Sequence, residues 1–101
     1  MSDYLAIIPI GGGSSWGRAP DREKAIGYAI KSLKDWQSLF VVANTEVIIN
    51  VVDVDGYDHC FWGGYPGGWL RGVNNVTGEE EVIDRPIEAV TRVTPNWRTK
   101  R

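Results

Sequence analysis

Residues 20–62 decide the fold. They read PDREKAIGYAIKSLKDWQSLF at residues 20–40 and, after a short break, VIINVVDVDGYDHCFW at residues 47–62. Apolar side chains recur every third or fourth residue of the first part, from Ile26 to Phe40, and this spacing predicts one long amphipathic helix. The second part is rich in β-branched and aromatic residues, which predicts strands.

The beginning of the helix is indicated by Pro20, which suits a first helical position because it lacks a backbone N–H. Asp21 follows, and its negative charge is favourable near the positive end of the helix dipole. Three lysines fall on the side of the helix opposite to its apolar face, Lys24, Lys31 and Lys34. We expect this side to face solvent.

The Asp-Gly dipeptide at residues 55–56 predicts a two-residue hairpin turn, because both central residues of such a turn take positive φ. In that hairpin Ile49 lies opposite Trp62, and Val51 lies opposite Cys60. These four side chains form the more apolar face of the hairpin, and we expect them to pack against the helix.

The remaining strands are less distinct in the sequence. An apolar run at residues 4–10 predicts a first strand with both faces buried. Pro9 indicates a sheet edge or a strand end, because it cannot donate to a ladder. Glycines and serines at residues 11–15 indicate a flexible loop. Further short strands are predicted at residues 70–73 and 87–94.

These elements predict an α+β fold of two layers, one long helix packed on a mostly antiparallel sheet of four or five strands. The order along the chain is β-α-β-β-β, with the first two strands parallel if the helix forms a right-handed crossover between them. We expect residues 1–97 to form one small domain, because a chain of 101 residues suffices for a single core. Residues 98–101 form a basic C-terminal tail.

Composition limits the functions to consider. Hydrophobic residues make up 43% of the chain and charged residues 24%, which is typical of globular rather than disordered proteins. The net charge of −2 gives no general attraction to nucleic acid or anionic membranes. Cys60 is the single cysteine and the N-terminus lacks a basic signal-peptide segment, so we expect a cytoplasmic protein without an internal disulfide and without membrane contact.

The first predicted strand, the glycine loop and the helix have the layout of a phosphate-binding loop. Gly12 and Gly17 have the G-x-x-x-x-G spacing. However, Arg18 and Ala19 follow where such a loop needs Lys and then Ser or Thr. Nucleotide hydrolysis is therefore not expected, whereas a simple anion contact at the helix N-terminus stays open.

Three acidic residues surround the predicted turn, Asp53, Asp55 and Asp58. Asp53 would face Asp58 across the hairpin, and such a like-charged pair destabilises a sheet unless a cation such as Ca²⁺ or Mg²⁺ compensates. The D-x-D-G-x-D spacing does not match an EF-hand loop. These residues are therefore a weak candidate for a metal site, and solvated turn residues are the alternative.

His59 and Cys60 are the only residues of their kinds. Because neighbours on a strand point to opposite faces, we expect them neither to form a nucleophilic pair nor to close a zinc site. Cys60 is expected in the core and His59 on the outer face of the hairpin. We therefore predict no catalytic residues, no cofactor and no enzyme activity.

Aromatic residues beside glycine or proline give the strongest indication of function. Trp, Tyr and Arg dominate protein-binding hot spots, and aromatic residues with basic ones also stack single-stranded nucleic acid. The predicted binding surface consists of Trp16, Arg18, Trp62, Tyr65, Trp69 and Arg71. The alternative for these rings is that they close the ends of the core.

Two functions follow from this surface. The first is a non-enzymatic interaction module that binds a protein partner, or itself as a homodimer, through the Gly/aromatic surface. The second is a nucleic-acid-binding accessory protein in which the aromatic residues stack on bases and a basic patch contacts phosphates. That patch consists of Lys24, Lys31, Lys34, Arg98, Lys100 and Arg101. A small enzyme is the third and least supported function.

One segment, GRAPDREKAI at residues 17–26, resembles the glycine-then-helix entry of HicB-type antitoxins, small α/β proteins that cap a toxin. The similar segment covers about a tenth of the chain. It follows a single predicted strand here, whereas that family has several strands before the helix. The resemblance therefore assigns no family.

Overall fold

The computed structural model describes residues 2–10, 13–34, 43–63 and 69–97. In these ranges the chain forms one helix and seven strands. In chain order they are β1 (Tyr4–Ile10), β2 (Gly13–Ala19), α1 (Arg22–Lys34), β3 (Glu46–Asp53), β4 (Tyr57–Gly63), β5 (Trp69–Asn74), β6 (Glu80–Val82) and β7 (Ile87–Val93).

The strands form two antiparallel sheets, a four-stranded one in the order β2-β1-β3-β7 and a three-stranded one in the order β4-β5-β6. The α+β class, with one helix on a mostly antiparallel sheet, is confirmed. The predicted run β-α-β-β-β is present from β2 to β5, with one more strand before it and two after it. The helix and the four-stranded sheet are the two predicted layers, and the three-stranded sheet adds a third.

The predicted hairpin between residues 47–54 and 57–62 is wrong. A turn does form at residues 54–57, where the Tyr57 N–H donates to the Val54 carbonyl at 3.0 Å, but of the two central residues only Gly56 takes a positive φ, of 93°. However, β3 already pairs with β1 on one edge and with β7 on the other. No edge of β3 is left for β4, which pairs with β5 instead. The turn therefore leads the chain from one sheet to the other.

Strand β1 lies inside the four-stranded sheet, and both of its faces are buried, as its apolar run predicts. Ala6 and Ile8 pack toward the helix, whereas Leu5 and Ile7 pack toward the three-stranded sheet. β1 is antiparallel to β3, so the parallel arrangement is wrong. The pairing with β3 ends at Ile7, and Pro9, which cannot donate, lies where β1 pairs with β2 alone.

Two apolar cores hold the layers together, and each fully buried Leu, Ile or Val contributes roughly 1.5–3 kcal/mol. The core between the helix and the four-stranded sheet consists of Ala6, Ile8, Ala19, Ala25, Ile26, Ala29, Leu33, Ile49 and Val51. The core between the sheets consists of Leu5, Ile7, Val52, Val54, Leu70 and Ile83. Ile49 and Val51 face the helix as predicted. Cys60 and Trp62 do not, because β4 belongs to the other sheet and they pack against the inter-sheet core.

Strand β2 begins at residue 13, so the predicted loop at residues 11–15 is wrong in its second half. Its small residues allow the helix to come close. The Ser15 hydroxyl donates to the Ala29 carbonyl at 2.6 Å. A Cβ at Gly17 would lie 2.5 Å from the Ala25 carbonyl oxygen. Glycine and serine here mark close packing rather than a flexible loop.

The helix begins two residues later than the proline signal suggests, at Arg22. Asp21 is its N-cap, since the Asp21 Oδ1 accepts hydrogen bonds from the N–H groups of the second and third helical residues at 2.8 and 3.1 Å. Pro20 precedes the cap. The helix is described as far as Lys34, and its predicted continuation over residues 35–40 lies outside the described residues. In the described part of the chain, no helix is long and apolar enough to cross a membrane.

Candidate binding groove

A groove opens between β2, an edge strand of the four-stranded sheet, and β4, an edge strand of the three-stranded sheet. It consists of two cavities of about 440 and 180 Å³ that share part of their lining. The lining residues of this β2–β4 groove are Leu5, Ile7, Ser14, Trp16, Arg18, His59, Cys60, Phe61 and Trp62. Among the described strands, the four-stranded sheet has one strand more than the other sheet, and the groove lies at an edge of each.

The floor of the groove comes from β1 and β2. In β2, Ser15 and Gly17 face the helix. By alternation, Ser14, Trp16 and Arg18 face the opposite way, into the groove. Trp side chains are highly buried on average, but the Trp16 indole is 59% exposed. A large apolar surface is therefore available to a ligand at this position.

The wall of the groove comes from β4, which contains a β-bulge. The register with β5 shifts between Asp58 and Phe61, so His59 and Cys60 together oppose Gly72. His59 has a φ of 50°, in the left-handed region that residues other than glycine rarely adopt. The bulge interrupts the alternation of the strand, and both His59 and Cys60 line the groove. The regular alternation on which the opposite-face prediction rests therefore does not hold at these two residues.

Arg18 connects the two sheets at one end of the groove. Its Nε and Nη2 each lie 2.7 Å from the Asp3 Oδ2, and Nη2 also donates to the Tyr57 carbonyl. Its Nη1 lies 3.4 Å from the Cys60 Sγ. Burial is the largest single effect and opposes the positive charge, but the hydrogen bond with Asp3 and the negative charges nearby together outweigh it and raise the pKa of Arg18. The charge of Arg18 is thus already paired within the protein.

The Cys60 thiol is neutral at neutral pH. Burial raises the pKa of Cys60, and the charge and hydrogen bond of Arg18 oppose this effect only in part. A protonated thiol is a poor nucleophile. His59 and Cys60 therefore share the groove without an activated thiolate.

Trp62 contributes an unsatisfied donor to the wall of the groove. Its indole Nε1 is buried and has no hydrogen-bond partner among the described residues. A buried indole N–H usually finds a partner, and leaving a donor unpaired costs about 1–3 kcal/mol. The indole of Trp62 is otherwise packed against the inter-sheet core.

Trp69 and Arg71 lie on a different surface. Leu70, between them in β5, is buried in the inter-sheet core, so by alternation both neighbours point outward from the three-stranded sheet. The Arg71 guanidinium lies 5.5 Å from the centroid of the Trp69 ring, and it pairs with Glu80 at 2.7 Å. Phe61 meets the edge of Trp69, with ring centroids 5.9 Å apart.

The predicted aromatic surface is thus divided. Three of its residues line the β2–β4 groove, Trp16, Arg18 and Trp62. Trp69 and Arg71 lie on the outer face of the three-stranded sheet, and Tyr65 lies outside the described residues.

The basic patch does not join the groove either. Lys24, Lys31 and Lys34 are exposed on the helix, which packs on the face of the four-stranded sheet opposite to the groove. The other three residues of the patch, Arg98, Lys100 and Arg101, lie outside the described residues. A nucleic-acid strand stacked on Trp16 would therefore not contact the helix lysines.

The three acidic residues near the turn hold no metal site in the described part of the chain, where no group of three or more His, Cys, Asp or Glu side chains could hold an ion. The Asp53 Oδ1 accepts the Asp55 N–H at 2.9 Å and lies 3.5 Å from the Arg85 Nη1. Asp58 does not face Asp53, because β3 and β4 do not pair. The repulsion that suggested a cation therefore does not arise.

The anion contact considered at the helix N-terminus is not supported. The Asp21 side chain occupies the N–H groups of the second and third helical residues. Gly17 lies inside β2 rather than in a loop. Gly17 therefore serves the packing between strand and helix, whereas Gly12 lies outside the described residues.

Sequence reasoning missed the other lining residues of the groove, Leu5, Ile7, Ser14, His59, Cys60 and Phe61. Leu5 and Ile7 look like ordinary core residues of the first predicted strand, and both do belong to the inter-sheet core. The bulge has no clear signal in the sequence. Histidine is among the residues enriched in the left-handed region, and this is the one hint at position 59.

Comparison of the chain with protein-family models, with curated proteins and with solved structures found no match. The function of the groove must therefore be inferred from its own geometry.

Proposed function

We propose that this protein is a non-enzymatic interaction module that binds a protein partner in the β2–β4 groove. The observation that carries the proposal is the Trp16 indole, 59% exposed above a floor that includes Leu5 and Ile7. Ligand sites are typically apolar with a few polar groups, and here Ser14 and His59 are those groups. Aromatic anchors of this kind dominate binding energy at protein interfaces.

The charges around the groove favour an uncharged ligand over a phosphate backbone. Arg18 is paired with Asp3, and the net charge of the chain is −2. The helix lysines lie on the opposite side of the four-stranded sheet. Nucleic-acid binding would need free cations beside the stacking rings. It is therefore kept as an outcome of the test below.

The protonated thiol of Cys60 supports a function without catalysis, and the presence of a single cysteine supports a reducing compartment. Its raised pKa keeps the thiol protonated, which leaves the groove without an activated nucleophile. A single cysteine cannot form a disulfide within this chain, which fits the cytoplasm.

A library of displayed random heptapeptides, selected on the immobilised full chain, tests the proposal. Wild type is compared with Trp16→Ser and with the matched control Tyr28→Ser, since Tyr28 is 50% exposed but lies on the helix. We expect peptides that bind wild type and the control equally. They should lose at least ~10-fold in affinity for Trp16→Ser, which corresponds to about 1.4 kcal/mol.

Two results would contradict the proposal. One is a selection that yields no peptide whose binding depends on Trp16. The other is tryptophan fluorescence quenched by mixed-sequence oligonucleotides, steeply weakened by salt, which would put nucleic-acid binding in its place.

A further inference from the structure

We propose that the β2–β4 groove holds an extended, uncharged peptide segment of a partner protein, which pairs with the free edge of β4 and becomes a fourth strand of the three-stranded sheet. This inference rests on the proposed function and specifies how the partner is bound. It follows from the position of β4, the state of the other sheet edges, and the chemistry and size of the groove.

Among the described strands β4 pairs with β5 alone, and its other edge faces the groove. The described lining residues that belong to the three-stranded sheet all come from β4. Neighbouring strands lie about 4.8 Å apart, and packed sheets about 10 Å apart. A strand added to β4 would therefore lie in the layer of the three-stranded sheet, above β2. It would make this sheet as wide as the other one and cover Trp16.

The other open edges are less suited to an added strand. Among the described strands, β2, β6 and β7 also have one free edge. β6 is three residues long and contains two glutamates. β7 carries Glu88 and Arg92, which form ion pairs with helix residues. Short and charged edges discourage pairing. A strand added to β2 would extend the four-stranded sheet and leave the groove empty.

The bulge determines where pairing on β4 can be regular. It interrupts the strand between Asp58 and Phe61, and the pairing with β5 is regular from Phe61 to Gly63. This regular part borders the smaller cavity, which Ser14 and Trp16 line. Pairing there would turn every second side chain of the peptide toward the floor of the groove, where the Trp16 indole is exposed.

The groove selects for an uncharged segment with alternating apolar side chains. Inward side chains would contact Trp16, Leu5 and Ile7, whereas outward ones would face solvent. The Arg18 guanidinium is paired with Asp3, so it does not require an acidic ligand. The floor of β2 from residue 14 to residue 18 is roughly 13 Å long, which accommodates four or five extended residues.

The size of the groove favours a segment of a partner over a second copy of this chain. A stable interface buries about 800 Å² on each partner. A Trp side chain has on the order of 250 Å² to bury, and 41% of the Trp16 surface is already covered. A groove of four or five residues around one such indole does not reach the area of a stable homodimer.

N-methylated peptides test this mode of binding. The probes are acetylated, amidated heptapeptides that alternate Val or Leu with Thr or Ser. They are unmethylated, methylated at the backbone nitrogens of even residues, or methylated at those of odd residues. An antiparallel strand presents alternate N–H groups to each side. We therefore expect one methylated series to lose at least ~10-fold in affinity and the other to stay within ~3-fold of the unmethylated peptides.

Alkylation of Cys60 by iodoacetamide gives a second readout, because it is the single cysteine and lines the groove. The unmethylated peptide should slow alkylation of the full chain, and it should do so less in Trp16→Ser than in Tyr28→Ser. Equal affinities of the two methylated series, or binding that leaves the alkylation rate unchanged, would overturn pairing with β4 while the proposed function stands. If neither the selected peptides nor these probes bind, the proposed function fails as well.

Discussion

At the scale of single residues, Gly17 in β2 is needed for close packing against the helix, whereas Gly27 in the helix is not needed for packing. A Cβ at Gly17 would lie 2.5 Å from the Ala25 carbonyl oxygen and 2.5 Å from the Ala29 nitrogen, both part of the helix backbone. A Cβ at Gly27 would meet nothing within 4 Å. Gly17 therefore brings the helix against β2, on the reverse side of the groove floor, whereas Gly27 has no packing role in the described structure.

Alanine at these two positions should change stability in opposite directions. Gly17→Ala should lower the free energy of unfolding by about 1–3 kcal/mol, because the clashing atoms are backbone and cannot rotate away. Gly27→Ala should raise it by about 0.5–1 kcal/mol, because alanine has the higher helix propensity. Urea unfolding of both variants checks this. A Gly17→Ala chain as stable as wild type would contradict the close approach of β2 and the helix.

The ionisation of Cys60 can be measured by its alkylation rate. Burial raises the pKa of Cys60, so the midpoint of the rate against pH should lie above the ordinary value of about 8.5 in the native chain, and near that value in the urea-unfolded chain. The unfolded state then loses its proton first as pH rises. The contribution of this thiol to stability is complete below about pH 8.5 and declines as pH rises through the native pKa.

Replacing Arg18 tests whether its charge and hydrogen bond lower the pKa of Cys60. Arg18 lowers the pKa of Cys60, so Arg18→Met should move the midpoint further up. Arg71→Met, which removes a guanidinium stacked on Trp69, should leave it unchanged. Circular dichroism confirms that both variants are folded. A midpoint in Arg18→Met equal to or below that of wild type would show that Arg18 does not lower the pKa of the thiol.

At the scale of elements, the bulge in β4 gives the groove its shape. A non-glycine residue in the left-handed region costs about 1–2 kcal/mol, and His59 is held there with a φ of 50°. At the bulge both His59 and Cys60 line the groove, and the Cys60 Sγ lies 3.4 Å from the Arg18 Nη1 of β2. Strained residues of this kind cluster at functional sites.

Substitutions at the bulge should reveal this strain. His59→Gly should stabilise the fold by about 0.5–1 kcal/mol, because glycine adopts positive φ freely and loses only part of the gain to its greater unfolded-state entropy. His59→Val should destabilise it by more than about 1 kcal/mol. Asp58→Gly, next to it in the same strand, is the control and should destabilise the fold. If thermal unfolding ranks Val above Gly at position 59, the bulge is not strained.

The elements themselves were largely predictable, because their signals are local. The three- and four-residue spacing marked the helix, an apolar run marked β1, and runs rich in β-branched residues marked β3 and β7. β2 was missed because Ser15 and Gly17 look like loop residues, and their packing against the helix appears only in three dimensions. The bulge at His59 was missed because it depends on the register between β4 and β5.

At the scale of the whole molecule, the pairing of strands was not predictable from local signals. Asp55 and Gly56 form a turn, but β3 does not pair with the strand that follows this turn. It pairs with β1 and β7, which lie far from it in the sequence. This choice leaves two sheets of unequal width. It also explains why three predicted site residues meet in the groove while Trp69 and Arg71 point away from it.

The distribution of charge predicts how binding responds to salt. Arg18 is the arginine among the described lining residues of the groove, and it is paired with Asp3. The proposed peptide has no charge. Its affinity should therefore change less than ~2-fold between low and physiological salt. A binding reaction driven by phosphate contacts loses affinity steeply over this range. Fluorescence titrations of the five tryptophans at two salt concentrations make the measurement, and a steep loss with the uncharged peptide would contradict the pairing of Arg18.

Chemical-shift mapping tests the location of the binding surface most directly. ¹⁵N-labelled full chain is titrated with the heptapeptide that binds it best, and the backbone amide shifts are followed. We predict that the largest changes fall on residues 14–18 of β2 and residues 59–63 of β4. Lys24, Lys31 and the rest of the exposed helix face should not change. Changes confined to the helix or to β7 would show that the β2–β4 groove is not the binding site.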